Sequence, residues 1–80
     1  LKGAVVMKLK NIEELINNEG EITIGRIGPV RCGASASDEA NCLAMLARRP
    51  GESFEALLIR LDSAIEDAIE HDIFADEINP

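Results

Sequence analysis

The run CLAMLARR, residues 42–49, decides which fold this chain can adopt, because six apolar or small residues followed by two arginines suit two different elements. As a strand, residues 42–49 close an antiparallel hairpin with the alternating run before them and lie beneath a long helix. A strand covered on both faces reads as a continuous apolar stretch. As a helix, the same residues follow Ser37 or Asp38 as a cap and consist mostly of Ala, Leu, Met and Arg, all good helix formers. The strand is adopted here and gives an α+β fold. The helix leaves a mostly α alternative open.

Upstream, Val30, Cys32, Ala34 and Ala36 alternate with Arg31, Gly33 and Ser35, and residues 21–24 alternate polar with apolar. Both patterns are those of half-buried strands. Between them stand Gly25, Gly28 and Pro29. Pro29 has no amide proton to give a ladder, so it belongs at a bend, a bulge or a free edge. Further back, Asn11 with Glu14 three residues later reads as the cap of a helix of about two turns, with Ile12, Leu15 and Ile16 as its apolar edge and Gly20 as its terminator. Residues 1–10, LKGAVVMKLK, have strand content. Two readings stay open: a strand pairing with a later one, or a native start at Met7 that makes residues 1–6 non-native and frayed.

Downstream, Phe54, Leu57, Leu58, Leu61, Ile65 and Ile69, with Ala64 and Ala68 beside them, recur at helical spacing and make one apolar stripe. Pro50-Gly51 breaks the chain and Ser53 caps the helix. At 100° per residue Ile59 points away from the stripe, toward Glu55, Asp62 and Glu66. Asp62, Glu66 and Glu70 form a ladder of like charges, each pair unfavourable by about 0.2–0.5 kcal/mol. Packing, not local electrostatics, must hold this helix. It lies across the sheet, and the tail, residues 73–80, carries Ile73, Phe74 and Ile78, too many large apolar groups for a free coil.

Eighty residues form one domain with a small core. The net charge of -7 is unevenly placed: residues 1–36 carry five bases and four acids, a balance of +1, and residues 37–80 carry three bases and eleven acids, a balance of -8. That balance opposes binding to nucleic acid or to an anionic membrane and favours a basic protein partner. With two Phe and neither Trp nor Tyr, stacking platforms for bases are scarce. No apolar run approaches a membrane span, and no leader pattern is present, so the cytoplasm is the expected compartment. Cys32 and Cys42 lack the spacing of a zinc knuckle and are read as reduced, buried residues.

Gly25-Arg26-Ile27-Gly28 matches the spacing of the GxxG loop of KH-type RNA binders, but such loops join helices in basic domains. The helical version of residues 37–61, SDEANCLAMLARRPGESFEALLIRL, loosely resembles the helix-loop-helix of ribbon-helix-helix antitoxins, through Gly51-Glu52-Ser53-Phe54 and the leucines that follow. That resemblance implies a DNA-binding regulator with Arg26 or Arg31 near the ribbon. The chain departs from it in its acidic extension and its glycine-interrupted strand region.

Asp67 and His71, one turn apart, could share a divalent ion, but two ligands make a poor site, so no metal or cofactor is expected. Arg48 and Arg49 stand before the free amides of the long helix, an arrangement that can hold an anion, with Glu52 and Glu55 as nearer competitors. Cys32 and His71 are the conceivable thiol and base, and nothing places them together. The sequence therefore points to a non-enzymatic interaction module, homodimeric, whose partner surface comprises Ile59, Asp62, Glu66, Glu70, Ile73 and Phe74.

Overall fold

A computed structural model describes residues 8–79. The two readings of residues 1–6 lie outside the described residues, and Lys8 and Leu9 lead into the first helix without strand structure. The elements run α1 (Lys10–Asn17), β1 (Glu21–Ile27), β2 (Val30–Ser37), β3 (Cys42–Ala47), α2 (Phe54–His71) and β4 (Ala75–Asp76). The strands form one sheet in the order β1-β2-β3-β4. The fold is α+β, with α2 packed on the sheet.

Residues 42–47 are therefore strand, which corrects the mostly α alternative and removes the first helix that the ribbon-helix-helix resemblance requires. Register explains why the run looked ambiguous. Ser37 pairs with Cys42 and Ala36 with Ala44, so Leu43 is the extra residue of a bulge. A bulge lets neighbouring side chains turn to one face, and Leu43 and Ala44 are both buried. Strict alternation is lost at that point.

Elsewhere the alternation holds. Ile22, Ala36, Ala44 and Ala75 stand in one row across all four strands, and Ile24, Ala34 and Leu46 stand in a second. These rows face the helices. Ala34, Ala36 and Ala44 are fully buried, and their small side chains let Leu57, Leu61 and Ile65 of α2, also fully buried, settle close to the strands. Each of those three large side chains contributes about 1.5–3 kcal/mol by leaving water. The ends of the stripe behave differently: Phe54 and Ile69 are exposed. An 18-residue helix spans about 27 Å, whereas the six residues of β3 span about 20 Å. The helix is thus longer than β3.

Two helix ends depart from the local sequence signals. α1 begins at Lys10 with Leu9 at the cap position and no side-chain cap of its own, so Asn11 is not the cap. The Asp62 carboxylate of α2 takes that role. It accepts from the amides of Asn11 and Ile12 at 2.9 Å each and from Asn11 Nδ2 at 3.0 Å. At the other end the Gly20 amide donates to the Leu15 carbonyl at 2.8 Å and the Glu19 amide to that of Ile16 at 3.0 Å, a Schellman closure. The left-handed residue is Glu19, with φ 68°. Gly20 is needed for space, since a Cβ there would lie 2.5 Å from Leu15 Cγ.

After α2 the chain returns as β4, parallel to β3, with Ala44 opposite Ala75 and Met45 opposite Asp76. This short parallel strand adds to the antiparallel sheet expected from the sequence. The tail then crosses to the sheet's other face. The Glu77 amide donates to the Met45 carbonyl at 2.7 Å, and Asp76 Oδ1 accepts from the amides of Ile78 and Asn79. Those two amides hold the Asp76 carboxyl below the usual carboxylate range. Ile78 reaches back as far as β2: a Cβ on Gly33 would meet Ile78 Cδ1 at 3.4 Å and Ile27 Cδ1 at 3.3 Å. Of the tail's three large apolar residues, Ile78 docks on the sheet, while Ile73 and Phe74 are exposed. Among the described residues no helix is long and apolar enough to cross a membrane.

Candidate docking surface at the end of α2

The two ends of α2 are built differently. At its start, Arg60 closes a clasp between three segments. Its Nε and Nη2 fork onto the Glu52 carboxylate at 2.7 and 3.0 Å. Nη1 reaches Glu77 Oε2 at 2.7 Å, and Nη2 also donates to the Ala47 carbonyl at 2.9 Å. A two-pronged guanidinium–carboxylate pair is among the stronger polar contacts. The Glu52 side chain is only 9% exposed. Arg60, helped by the Arg49 amide, holds the Glu52 carboxyl down at about 2. Partial burial pushes Glu77 upward, but Arg60 and the Ala47 amide outweigh it and its carboxyl lies below the usual range.

The clasp also engages the arginines expected to hold an anion. Arg48 Nε donates to the Glu52 carbonyl at 2.9 Å, and Arg49 Nη2 pairs with Glu77 at 3.3 Å. Glu52 takes the Arg49 amide at 2.9 Å. A side chain of the protein itself thus fills the place considered for an external anion. Arg60 was not anticipated as the centre of this arrangement. One signal was present, since Arg60 is the only Lys or Arg in residues 50–80.

Among the described residues the far end of α2 has no such closure. The helix stops at Asp72 in a left-handed conformation, φ 57°. The amides of Asp72 and Ile73 both turn back to the Asp67 carbonyl, so neither caps the carbonyls of Ala68, Ile69, Glu70 or His71. Beside this end lies a cleft of about 460 Å³. Leu43, buried by the bulge, and Ala68 form its deeper lining, with Ile69, Ile73 and Phe74 around them. The turn between β2 and β3 supplies Asp38 and Asn41, and Cys42 comes from the start of β3. Ile69, Ile73 and Phe74 are 58%, 54% and 51% exposed, an unusual concentration of large apolar side chains at one end of one helix.

The residues expected to meet a partner are thus divided. Ile73 and Phe74 meet at the cleft. Ile59, 51% exposed, stands ten residues earlier, about 15 Å along the axis, on the same side as the exposed Glu66. Glu70 is also exposed, but Asp62 is engaged in capping α1. Ile69, read as core from its spacing, joins the cleft instead.

Asp67 and His71 are both exposed, and among the described residues no three of His, Cys, Asp or Glu are grouped to share an ion. Cys32 and Cys42 are free thiols, the first half-buried and the second exposed, which corrects the expectation that both are buried. Cys32 lies where its carbonyl accepts from the Arg48 amide, at the clasp end of the molecule, and His71 closes the other end of α2. The GxxG spacing falls within β1 and its turn to β2, not between helices. Comparison with family models, with curated proteins and with solved structures finds no match to this chain.

Proposed function

We propose that this chain is a small, acidic, non-enzymatic protein–protein interaction module of the cytoplasm, and that its docking surface is the C-terminal end of α2 with the Ile73-Phe74 segment. The observation that carries this reading is the cluster of Ile69, Ile73 and Phe74, each more than half exposed around one cleft, beside a helix end whose carbonyls are uncapped. Exposed aromatic and aliphatic anchors beside charged groups are the ordinary material of a protein interface. Phe74→Asp tests the reading. Proteins recovered from an extract of the native host with the wild type should be lost with this variant, and recovery of the same set with both would count against the cleft.

A second reading, an isologous homodimer through the middle of α2, is favoured by Ile59, a large apolar side chain standing out on the polar face. Ile59→Asp should then lower the mass seen in light scattering. An unchanged monomeric mass would exclude it.

A further inference from the structure

We propose that the cleft at the end of α2 receives the basic tip of the β1–β2 hairpin of a second copy of this chain. Arg26 and Arg31 lie against its acidic lining, and Pro29 lies against Ile73 and Phe74. The proposal rests on the reading of that end as a docking surface and adds its occupant.

The two surfaces are complementary in sign and lie at opposite ends of the molecule. In the hairpin, Gly25 pairs with Gly33 and Ile27 with Val30, so Arg26 stands opposite Arg31 and Cys32 across a bulge. Two guanidinium groups thus flank an exposed Gly28-Pro29 turn. Neither forms a salt bridge among the described residues. Like charges facing each other across a strand pair are unfavourable, and an acidic partner relieves them.

The cleft supplies that partner. Asp38 and Asp72 line it, and the Asp38 Oδ1 atom already holds the amides of Ala40 and Asn41, which leaves Oδ2 for another donor. The uncapped carbonyls of the last turn of α2 add the negative end of the helix dipole, equivalent to about half an elementary charge. They also accept hydrogen bonds, which a guanidinium is built to give. The apolar lining suits the proline between the arginines. Because β2 runs from the Gly28-Pro29 turn to the turn at Asp38, tip and cleft lie at opposite ends of a strand of eight residues, about 25 Å long. One copy cannot fill its own cleft with its own tip. The contact is therefore heterologous, and it leaves a free tip and a free cleft at the two ends of any open assembly. Whole-molecule repulsion at a charge of -7 is screened beyond about 8 Å at physiological salt, whereas contacts within the cleft act at shorter range.

Sedimentation velocity with two exposed-residue variants tests this. One reverses the tip, Arg26→Glu with Arg31→Glu, and the other reverses the cleft, Ile73→Lys, without touching a hydrogen-bonded carboxylate. The wild type should sediment faster as its concentration rises, with amide shifts at Leu43 and Phe74 in NMR. Each variant alone should be monomeric while retaining the wild-type circular dichroism spectrum. An equimolar mixture should associate again, because the tip of the Ile73→Lys copy meets an unaltered cleft. A wild type that stays monomeric at about millimolar concentration, or variants that associate as well as the wild type, would overturn the proposal. Titration with the peptide RIGPVR, residues 26–31, separates the two levels of the argument. Shifts at Leu43 and Phe74 without self-association would leave the docking surface standing and remove the second copy. No shifts and no association would remove both.

Discussion

The start and the end of α2 belong to one helix and share its apolar face, yet they are finished in opposite ways. At the start the polar groups are drawn together: Ser53 Oγ accepts from the Ala56 amide at 3.0 Å, and Arg60 is shared among Glu52, Glu77 and the Ala47 carbonyl. At the end the carbonyls are uncapped and three large apolar side chains face outward. A fold of this size has little stability to spare. The matched contacts are concentrated at one end, and the other end carries the surface proposed for docking.

The sharpest way to break that comparison is to remove contacts from the buried middle and see whether the ends respond alike. Leu61 is fully buried between the sheet and the rest of the core. Leu61→Ala should cost about 2–5 kcal/mol in urea denaturation, the transfer of the side chain plus the cavity left behind. For a domain this small such a loss threatens folding altogether. A cost below about 1 kcal/mol would mean that α2 is not seated on the alanine rows of β2 and β3.

Arg60→Ala comes next. It strips the Glu52 carboxylate, the Glu77 carboxylate and the Ala47 carbonyl of one shared donor group. The midpoint should fall by less than for Leu61→Ala and by more than for Arg49→Ala, whose side chain makes one exposed ion pair. Hydrogen exchange at Glu77, whose amide pairs with Met45, should quicken, because the clasp anchors the tail. The same clasp sets a pH dependence. Glu52 titrates at about 2 in the folded chain against an ordinary value of 4.5, and Glu77 is shifted in the same direction. The folded state thus binds fewer protons than the unfolded one in this window. The clasp's contribution is complete above about 4.5 and is lost as pH falls toward 2. Thermal melts from pH 6 to 2 should show a decline that is shallower in Glu52→Gln, and equal slopes would separate Glu52 from acid sensitivity.

Much of this fold is legible in the residues themselves, and the parts that are not share a cause. The stripe of α2 and the alternation of β1 and β2 come from local periodicity. β3 reads two ways because Leu43 and Ala44 both point inward at a bulge. β4 has only two residues, too few to show a period. The clasp joins residues 8 to 30 positions apart, and no spacing rule reaches that far. The cleft was half visible: Ile73 and Phe74 stood out as unexplained, but Ile69 was hidden in a stripe whose spacing says nothing of where the strands beneath it end.

Asp62 bears on the comparison from outside both ends. It was expected to contribute to a charged partner face, and it instead satisfies two amides of α1. Asp62→Ala should cost about 1 kcal/mol, the usual loss of a helix cap. Its signature is faster exchange at Asn11 and Ile12, with the amides of Ala34 and Leu46 unchanged. A silent Asp62→Ala would return Asp62 to the outward acidic face with Glu66.

The smallest effect on stability is the most informative for function. Phe74 is half exposed beside the cleft, so Phe74→Ser should change the denaturation midpoint by no more than about 0.5 kcal/mol, the usual range for a surface position. An aromatic ring that contributes to folding would show a larger loss, because buried aromatic truncations cost about 3–5 kcal/mol. The two outcomes assign the ring differently. A large loss means that Phe74 is part of the core that holds β4 in place, and the cleft is an incidental gap beside it. A negligible loss means that the chain retains a large apolar group at the open end of α2 for which its own fold has no use. Paired with Leu61→Ala, thirteen residues earlier on the same helix and its extension, that result would divide α2 into a part that folds and a part that binds.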